Sequence, residues 1–180
     1  MARKRSPGND DAVEIAEYDP AWPELYERER DLIGGSLGDL VVAIEHVGST
    51  AVPGLGAKPI IDIMVGVRTL AEGEKCVMPL EGLGYEYRGE AGIPGRLFFR
   101  KFTAGVRTHH LHMVEQGSDY WERTILFRDY LRQHPQEAGD YYELKVRLAE
   151  QYGADREGYT EAKTEFVESV LTRARAAKTE

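Results

Sequence analysis

The stretch that most constrains the fold is IIDIMVGV at residues 60–67, a nearly continuous apolar run that contains one carboxylate, Asp62. A run of this length behind a Gly- and Pro-rich loop is typical of a β-strand that is covered on both faces. Such a strand requires helices on both sides of a sheet, which indicates an α/β fold. A carboxylate inside that strand is costly unless it is paired or binds a metal. Asp62 is therefore the first candidate site residue.

The neighbouring segments predict a mixed sheet followed by helices. Strand patterns flank the apolar run on both sides, and helical patterns precede the sheet and fill the C-terminal half. The predicted strands lie at 40–48, 60–67, 85–90, 96–102 and 107–115. The predicted helices lie at 17–35, with a stop at Gly34-Gly35, and at 69–84, 118–134, 136–153 and 158–176. The expected fold class is therefore α/β (α+β), with flanking helices and a C-terminal helical segment.

Length and composition limit the class of protein. The 180 residues, 42% hydrophobic and 30% charged, suit a single domain, which we assign to residues 13–177. Residues 1–12 are basic and polar and are predicted to form a disordered tail rather than a signal peptide. No run approaches the ~20 apolar residues of a membrane span. Because Cys76 is the only cysteine, no disulfide framework is expected, and we predict a cytoplasmic location without membrane partners.

The charge of the chain limits its partners. A formal net charge of −8 disfavours binding to extended nucleic acid, because a broad phosphate footprint requires a basic surface. It still permits a local basic pocket for one nucleotide-sized anion. The expected partner is therefore a nucleotide or another phosphorylated small molecule, and the sequence leaves the oligomeric state open.

The loop at residues 46–62, HVGSTAVPGLGAKPIID, matches neither common phosphate-binding motif. A P-loop requires Gly-Lys-Ser/Thr, but Lys58 follows Ala57 and precedes Pro59. A dinucleotide fingerprint requires a third glycine where Pro59 stands. Lys58 is either a phosphate clamp ahead of the buried strand or a solvated loop residue.

The Gly48-Ser49 pair, which ends the first predicted strand, is a candidate anion site. Glycine lets the backbone approach an anion closely, and the serine hydroxyl can donate a hydrogen bond. A helix beginning near Thr50 would add its N-terminal dipole. The alternative is an ordinary tight turn between a strand and a helix.

Two histidines on a later strand could complete a metal site. His110 and His112 alternate along the strand and share a face, whereas His109 faces the other side. Together with Asp62 they would form a set of two histidines and one carboxylate, which suits Zn²⁺, Mn²⁺ or Fe²⁺ better than Mg²⁺. The alternatives are hydrogen-bonded histidines at a sheet surface and a structural hydrogen bond for Asp62.

A strand, a Gly-Ser turn, a short helical segment and a strand bearing an acid resemble the core of the nucleotidyltransferase fold. The chain is still more similar to the GrpB family of predicted nucleotidyltransferases, whose members also occur fused to dephospho-CoA kinases. The matching stretches are YDPAWPELYERE, IEHVGSTAVPGLGAKPIIDIMV, HHLHMVEQGSDYWERTILFRDYLRQHP and DREGYTEAKTEFV. They are distributed along the chain from Tyr18 to Val167.

This resemblance implies a nucleotidyltransferase-like mixed sheet that binds nucleotide phosphate at the Gly-Ser turn. It also implies a divalent metal (Mg²⁺, Mn²⁺ or Zn²⁺) at Asp62 and transfer of a nucleotidyl group as the reaction, with Asp62 as the catalytic residue. Arg128 and Lys163 lie on predicted helices inside the matching stretches. Each is either a phosphate contact or a partner in a helix ion pair.

One departure from the superfamily pattern keeps other functions open. Active nucleotidyltransferases typically carry a second acid two residues after the first, but Met64 occupies that position, and a thioether is a poor ligand for a hard cation. The first alternative is a catalytically silent binding or folding-accessory module. The second is a metal-dependent hydrolase or transferase centred on the histidines and Asp62.

Overall fold

A computed structural model describes residues 13–177, in which five strands form a mixed sheet in the order β1-β2-β5-β4-β3. The predicted tail at residues 1–12 lies outside the described residues. The strands are β1 (Ala43–Val47), β2 (Ile61–Val67), β3 (Tyr85–Tyr87), β4 (Arg96–Thr103) and β5 (Val106–Glu115). Strands β2 and β5 pair in parallel, and the other neighbours pair antiparallel. The apolar run is thus an interior strand of a mixed sheet, which confirms the predicted fold class.

The helices fall into two groups along the chain. The first group is α1 (Trp22–Leu37), α2 (Leu70–Glu74) and α3 (Val77–Gly82). The second group is α4 (Asp119–Gln133), α5 (Pro135–Tyr152), α6 (Arg156–Glu161) and α7 (Thr164–Ala177). Within residues 13–177, no helix has both the length and the apolar character that a membrane span needs.

The side chains of β2 alternate between two apolar layers. Ile63 and Val65 are fully buried in a cluster with residues of α1 and α3. Met64 points to the opposite face, where it packs with Trp121 of α4. Because side chains alternate along a strand, Asp62 lies on the same face as Met64, towards the second group of helices.

Three predicted helix boundaries were wrong. Helix α1 continues through Gly34-Gly35 to Leu37, because burial of Ile33 and Leu37 outweighs the cost of about 1 kcal/mol for each glycine. The segment at 69–84 forms two short helices, α2 and α3, instead of one.

The helix predicted at 158–176 is also divided, into α6 and α7, with the break between Glu161 and Thr164. Tyr159 before the break packs with Leu148, whereas Val170 after it packs in a separate cluster. The two halves therefore cover different neighbours, which one straight helix could not do.

Candidate metal centre and anion site

The parallel pairing of β2 with β5 brings Asp62 together with His110 and His112. Asp62 is the register partner of His110. Its Oδ1 atom lies 3.1 Å from Nε2 of His112 and 3.3 Å from Nδ1 of His110. One ligand atom from each of the three residues lies within 4.8 Å of the others. The predicted set of two histidines and one carboxylate is therefore assembled on one face of the sheet.

The charge states of these side chains suit a metal ligand set. Burial would raise the pKa of Asp62, but hydrogen bonds from His110 and His112 outweigh it and hold that pKa well below its usual range. Burial lowers the pKa of His112, although Asp62 opposes the shift. An ionised carboxylate and a neutral imidazole are the forms that bind metal ions. Nε2 of His110 is buried without a hydrogen-bond partner among the described residues, which also fits a further ligand there.

Two side chains contact the outer nitrogen of His112. Nδ1 of His112 lies 3.3 Å from the Arg96 guanidinium and 3.2 Å from the Tyr120 hydroxyl. Since arginine only donates, the Arg96 contact favours the tautomer in which Nε2 carries the proton and donates to Asp62. A metal at Nε2 would require the proton on Nδ1, and of these two neighbours Tyr120 is the one that could accept it. Tyr120 and Arg96 were not identified from the sequence.

Gly48 lies directly against Asp62. Its φ of +73° favours glycine, and a Cβ atom at this position would lie 2.8 Å from Oδ2 of Asp62. The helix expected near Thr50 is a single 3₁₀ turn, Ser49–Ala51, so it lacks the aligned dipoles of a longer helix. The Gly-Ser turn is thus shaped to lie beside the carboxylate.

Lys58 and Lys163 converge on one aromatic ring. Their Nζ atoms lie 4.6 and 4.2 Å from the centre of the Tyr159 ring. Lys163 reaches this ring from the break between α6 and α7, and Lys58 reaches it from the loop before β2. Burial lowers the pKa of each lysine to about 8, and the negative charge of Asp62 opposes both shifts. The lysines therefore lie within electrostatic reach of the candidate metal centre.

Helix α5 adds two residues that the sequence reasoning missed. Burial raises the pKa of the Tyr141 hydroxyl, and its interaction with Ser49 opposes the rise. Lys145 is 3% exposed, and its ammonium donates to the carbonyl of Gly56 at 2.5 Å. Lys145 stands four residues after Tyr141 and three before Leu148, which places a lysine within the apolar stripe of the helix. That spacing is the signal that could have identified it.

The Arg128 side chain lies at the free edge of β1, where it contacts two carboxylates and a backbone carbonyl. Its guanidinium lies 2.6 Å from Glu45, 2.8 Å from Asp129 and 3.0 Å from the carbonyl oxygen of His46. These contacts satisfy an outward-facing carbonyl of an edge strand and pair a buried charge. These contacts correspond to the ion pair that was one of the two alternatives for Arg128. A phosphate contact by Arg128 stays a prediction.

The sequence matches the family described as GrpB protein over residues 12–173. A UPF0157 protein from Pseudomonas aeruginosa is 46% identical over 176 residues, which cover 96% of this chain and 72% of that protein. The glutamate-rich protein GrpB from Alkalihalophilus pseudofirmus is 39% identical over 167 residues, which cover 91% of this chain and 96% of that protein.

A solved structure shares the fold as well as the sequence. The crystal structure of conserved protein GrpB from Enterococcus faecalis superposes with a TM-score of 0.84 at 36% sequence identity. The superposition covers 93% of this chain and 100% of that one. The chain therefore belongs to the GrpB family.

Proposed function

We propose that this protein binds a divalent metal ion at Asp62, His110 and His112, together with a nucleotide or another phosphorylated small molecule. The observation that carries the proposal is the convergence of three ligand atoms within 4.8 Å on one face of the sheet. Two imidazoles and one carboxylate with open coordination positions form a ligand set for Zn²⁺ or Mn²⁺ rather than for Mg²⁺.

The surrounding residues support binding of a phosphate group beside the metal. The Gly48-Ser49 turn lies against Asp62. The Ser49 hydroxyl interacts with Tyr141, and it can donate to a phosphate oxygen while it accepts from the Tyr141 hydroxyl. Lys58 and Lys163 supply positive charge beside the Tyr159 ring. A partly buried site of this kind strengthens each charge-assisted contact, because water screens it less than at an open surface.

The reaction that we propose is transfer of a nucleotidyl group, with Mn²⁺ or Zn²⁺ supporting it better than Mg²⁺. A bound metal would neutralise phosphate charge and orient the reacting groups. The strand offers a single carboxylate, because Met64 at the second position is fully buried against apolar neighbours. Two ions about 4 Å apart need more shared oxygen ligands than Asp62 can supply.

A second candidate is a metal-dependent hydrolase or transferase that does not use nucleotides. The observation in its favour is the ligand set itself, since two histidines and one carboxylate also form the sites of many hydrolytic zinc enzymes. In that case a phosphorylated substrate without a base would bind as well as a nucleotide.

Calorimetric titration with a non-hydrolysable nucleoside triphosphate, in Mn²⁺ and in EDTA, tests the proposal. We expect binding in Mn²⁺ only, with affinity reduced about ten- to a hundredfold in Ser49→Ala and Lys58→Ala, since each removes a charge-assisted contact. Lys75→Ala, at an exposed position between α2 and α3, is the control that should match the wild type. Equal affinity in all four proteins would contradict the assigned phosphate site.

A further inference from the structure

The lysines beside the candidate metal centre carry more positive charge than their surroundings neutralise. Besides burial, the charge of Lys163 lowers the pKa of both Lys58 and Lys145, and the charge of Lys58 lowers that of Lys145. Arg156 and Arg107 also lower the pKa of Lys58. Within residues 13–177, no carboxylate forms an ion pair with any of the three lysines. The negative charge that does act on Lys58 and Lys163 comes from Asp62, which is engaged with the two histidines.

Lys145 is the least accessible member of the group. Its side chain is buried between Tyr141, whose ring centre lies 4.9 Å from Nζ, and the carbonyl of Gly56. A buried ammonium with one neutral acceptor is costly, because no opposite charge compensates it. Gly56 also stands two residues before Lys58, so the hydrogen bond from Lys145 fixes the loop that presents Lys58.

We infer that the ligand carries two linked anionic groups of the diphosphate type, one at the metal and the Gly48-Ser49 turn and the other between Lys58 and Lys163. This inference rests on the proposed function and names its substrate class. Lys58 and Lys163 are half-buried and contact the second group, whereas Lys145 acts from behind as a positioning residue. A single phosphate would neutralise one of the two positions and leave the other uncompensated.

The test compares inorganic pyrophosphate with inorganic phosphate by calorimetric titration in the presence of Mn²⁺. We expect the wild type to bind pyrophosphate at least about tenfold more tightly than phosphate, because the second group adds charge-assisted contacts. Lys163→Met and Lys145→Met should each reduce this ratio severalfold or more. Lys75→Met should retain the wild-type ratio. Mn²⁺ affinity, measured alone, should not fall in any of the three variants, because none of them removes a metal ligand and loss of a nearby positive charge favours a bound cation.

A second readout separates charge from simple structural support by Lys145. Burial lowers the pKa of Lys145 to about 7 and of its two partners to about 8, so an arriving anion should draw protons onto them. Titrations at about pH 8 in buffers of different ionisation enthalpy should therefore show proton uptake by the wild type and less uptake by Lys145→Met.

The outcomes separate this inference from the proposed function. Intact Mn²⁺ binding with equal affinity for pyrophosphate and phosphate overturns the inference alone. The same holds if neither lysine variant changes the ratio. If Lys145→Met does not fold, two measurements still test the inference. These are the ratio of pyrophosphate to phosphate affinity in Lys163→Met, a half-buried position, and the proton uptake of the wild type. Failure of the wild type to bind Mn²⁺ overturns the proposed function and this inference with it.

Discussion

At the scale of single residues, Gly48 links the backbone to the candidate metal centre. Its positive φ and its contact with Asp62 both require the absence of a side chain. Gly54, in the same loop, has a similar φ of +79° but nothing within 4 Å of its would-be Cβ atom. Alanine substitutions at Gly48 and Gly54 therefore separate the cost of a positive φ from the cost of crowding the Asp62 carboxylate.

We expect Gly48→Ala and Gly54→Ala to lose about 1–3 kcal/mol of folding free energy each, because a positive φ strains an alanine backbone. Gly48→Ala should also displace the Asp62 carboxylate and weaken binding of Mn²⁺ at least about tenfold, whereas Gly54→Ala should bind as the wild type does. Urea denaturation and metal titration give the two quantities. Unchanged metal affinity in Gly48→Ala would show that the turn does not shape the site.

The residues whose mutual placement could be predicted from the sequence are those whose neighbours lie on the same or an adjacent strand. Alternation along β5 placed His110 and His112 on one face, and the burial of β2 singled out Asp62. Lys145 was missed because its significance depends on the packing of α5 against a loop about 90 residues away, which no local pattern reveals.

At the scale of secondary structure, α6 is the short element that carries Tyr159 and leads to Lys163. Asp155 caps it by accepting a hydrogen bond from the backbone N–H of Gly158 at 3.0 Å. Ser118 caps α4 in the same way through the N–H of Trp121. In both caps a side-chain oxygen accepts a hydrogen bond from a backbone N–H, but only α6 carries the ring that Lys58 and Lys163 contact.

Removal of either cap, in Asp155→Ala or Ser118→Ala, should lower the free energy of unfolding by about 0.5–2 kcal/mol. Asp155→Ala should in addition weaken pyrophosphate binding several-fold. Fraying of α6 would move the Tyr159 ring and the Lys163 ammonium, which lie at the proposed position of the second anionic group. Ser118→Ala should leave that affinity unchanged. The idea that α6 positions the site fails if the two variants bind pyrophosphate alike.

The element boundaries show where local pattern was insufficient. Strand β2 and helices α4 and α5 follow from apolar periodicity and from Pro and Ser signals, and they appear close to the predicted positions. The break between α6 and α7 could not be predicted, because helical periodicity continues across it and only the separate packing of Tyr159 and Val170 divides it.

At the scale of the whole molecule, the buried lysines make stability depend on pH. The pKa of Lys145 falls to about 7 in the folded protein, compared with its ordinary value of 10.5. Above pH about 7 the unfolded chain therefore binds more protons at this residue, so its contribution to stability rises with pH. Lys58 and Lys163 act in the same direction from about pH 8.

We expect the free energy of unfolding, measured in urea without added anions, to show this contribution between about pH 7 and pH 9. The slope of that free energy against pH should be smaller in Lys145→Met than in the wild type, and Lys75→Met should match the wild type. A slope that Lys145→Met leaves unchanged would mean that Lys145 is not destabilised as a cation in the folded protein.

The proposed function depends on one metal ion bound by Asp62, His110 and His112. His109, the neighbour of His110 on β5, provides the control. Its side chain points to the opposite face of the sheet, where its Nδ1 lies 2.9 Å from the Thr108 hydroxyl. Equilibrium dialysis against Zn²⁺ or Mn²⁺, followed by elemental analysis, measures the bound ion directly in the wild type, His110→Ala and His109→Ala.

This metal assignment predicts one bound ion per chain in the wild type and in His109→Ala, and affinity at least about a hundredfold lower in His110→Ala, which lacks one of three protein ligands. Absence of bound metal in the wild type, or equal affinity in His110→Ala and His109→Ala, would contradict it.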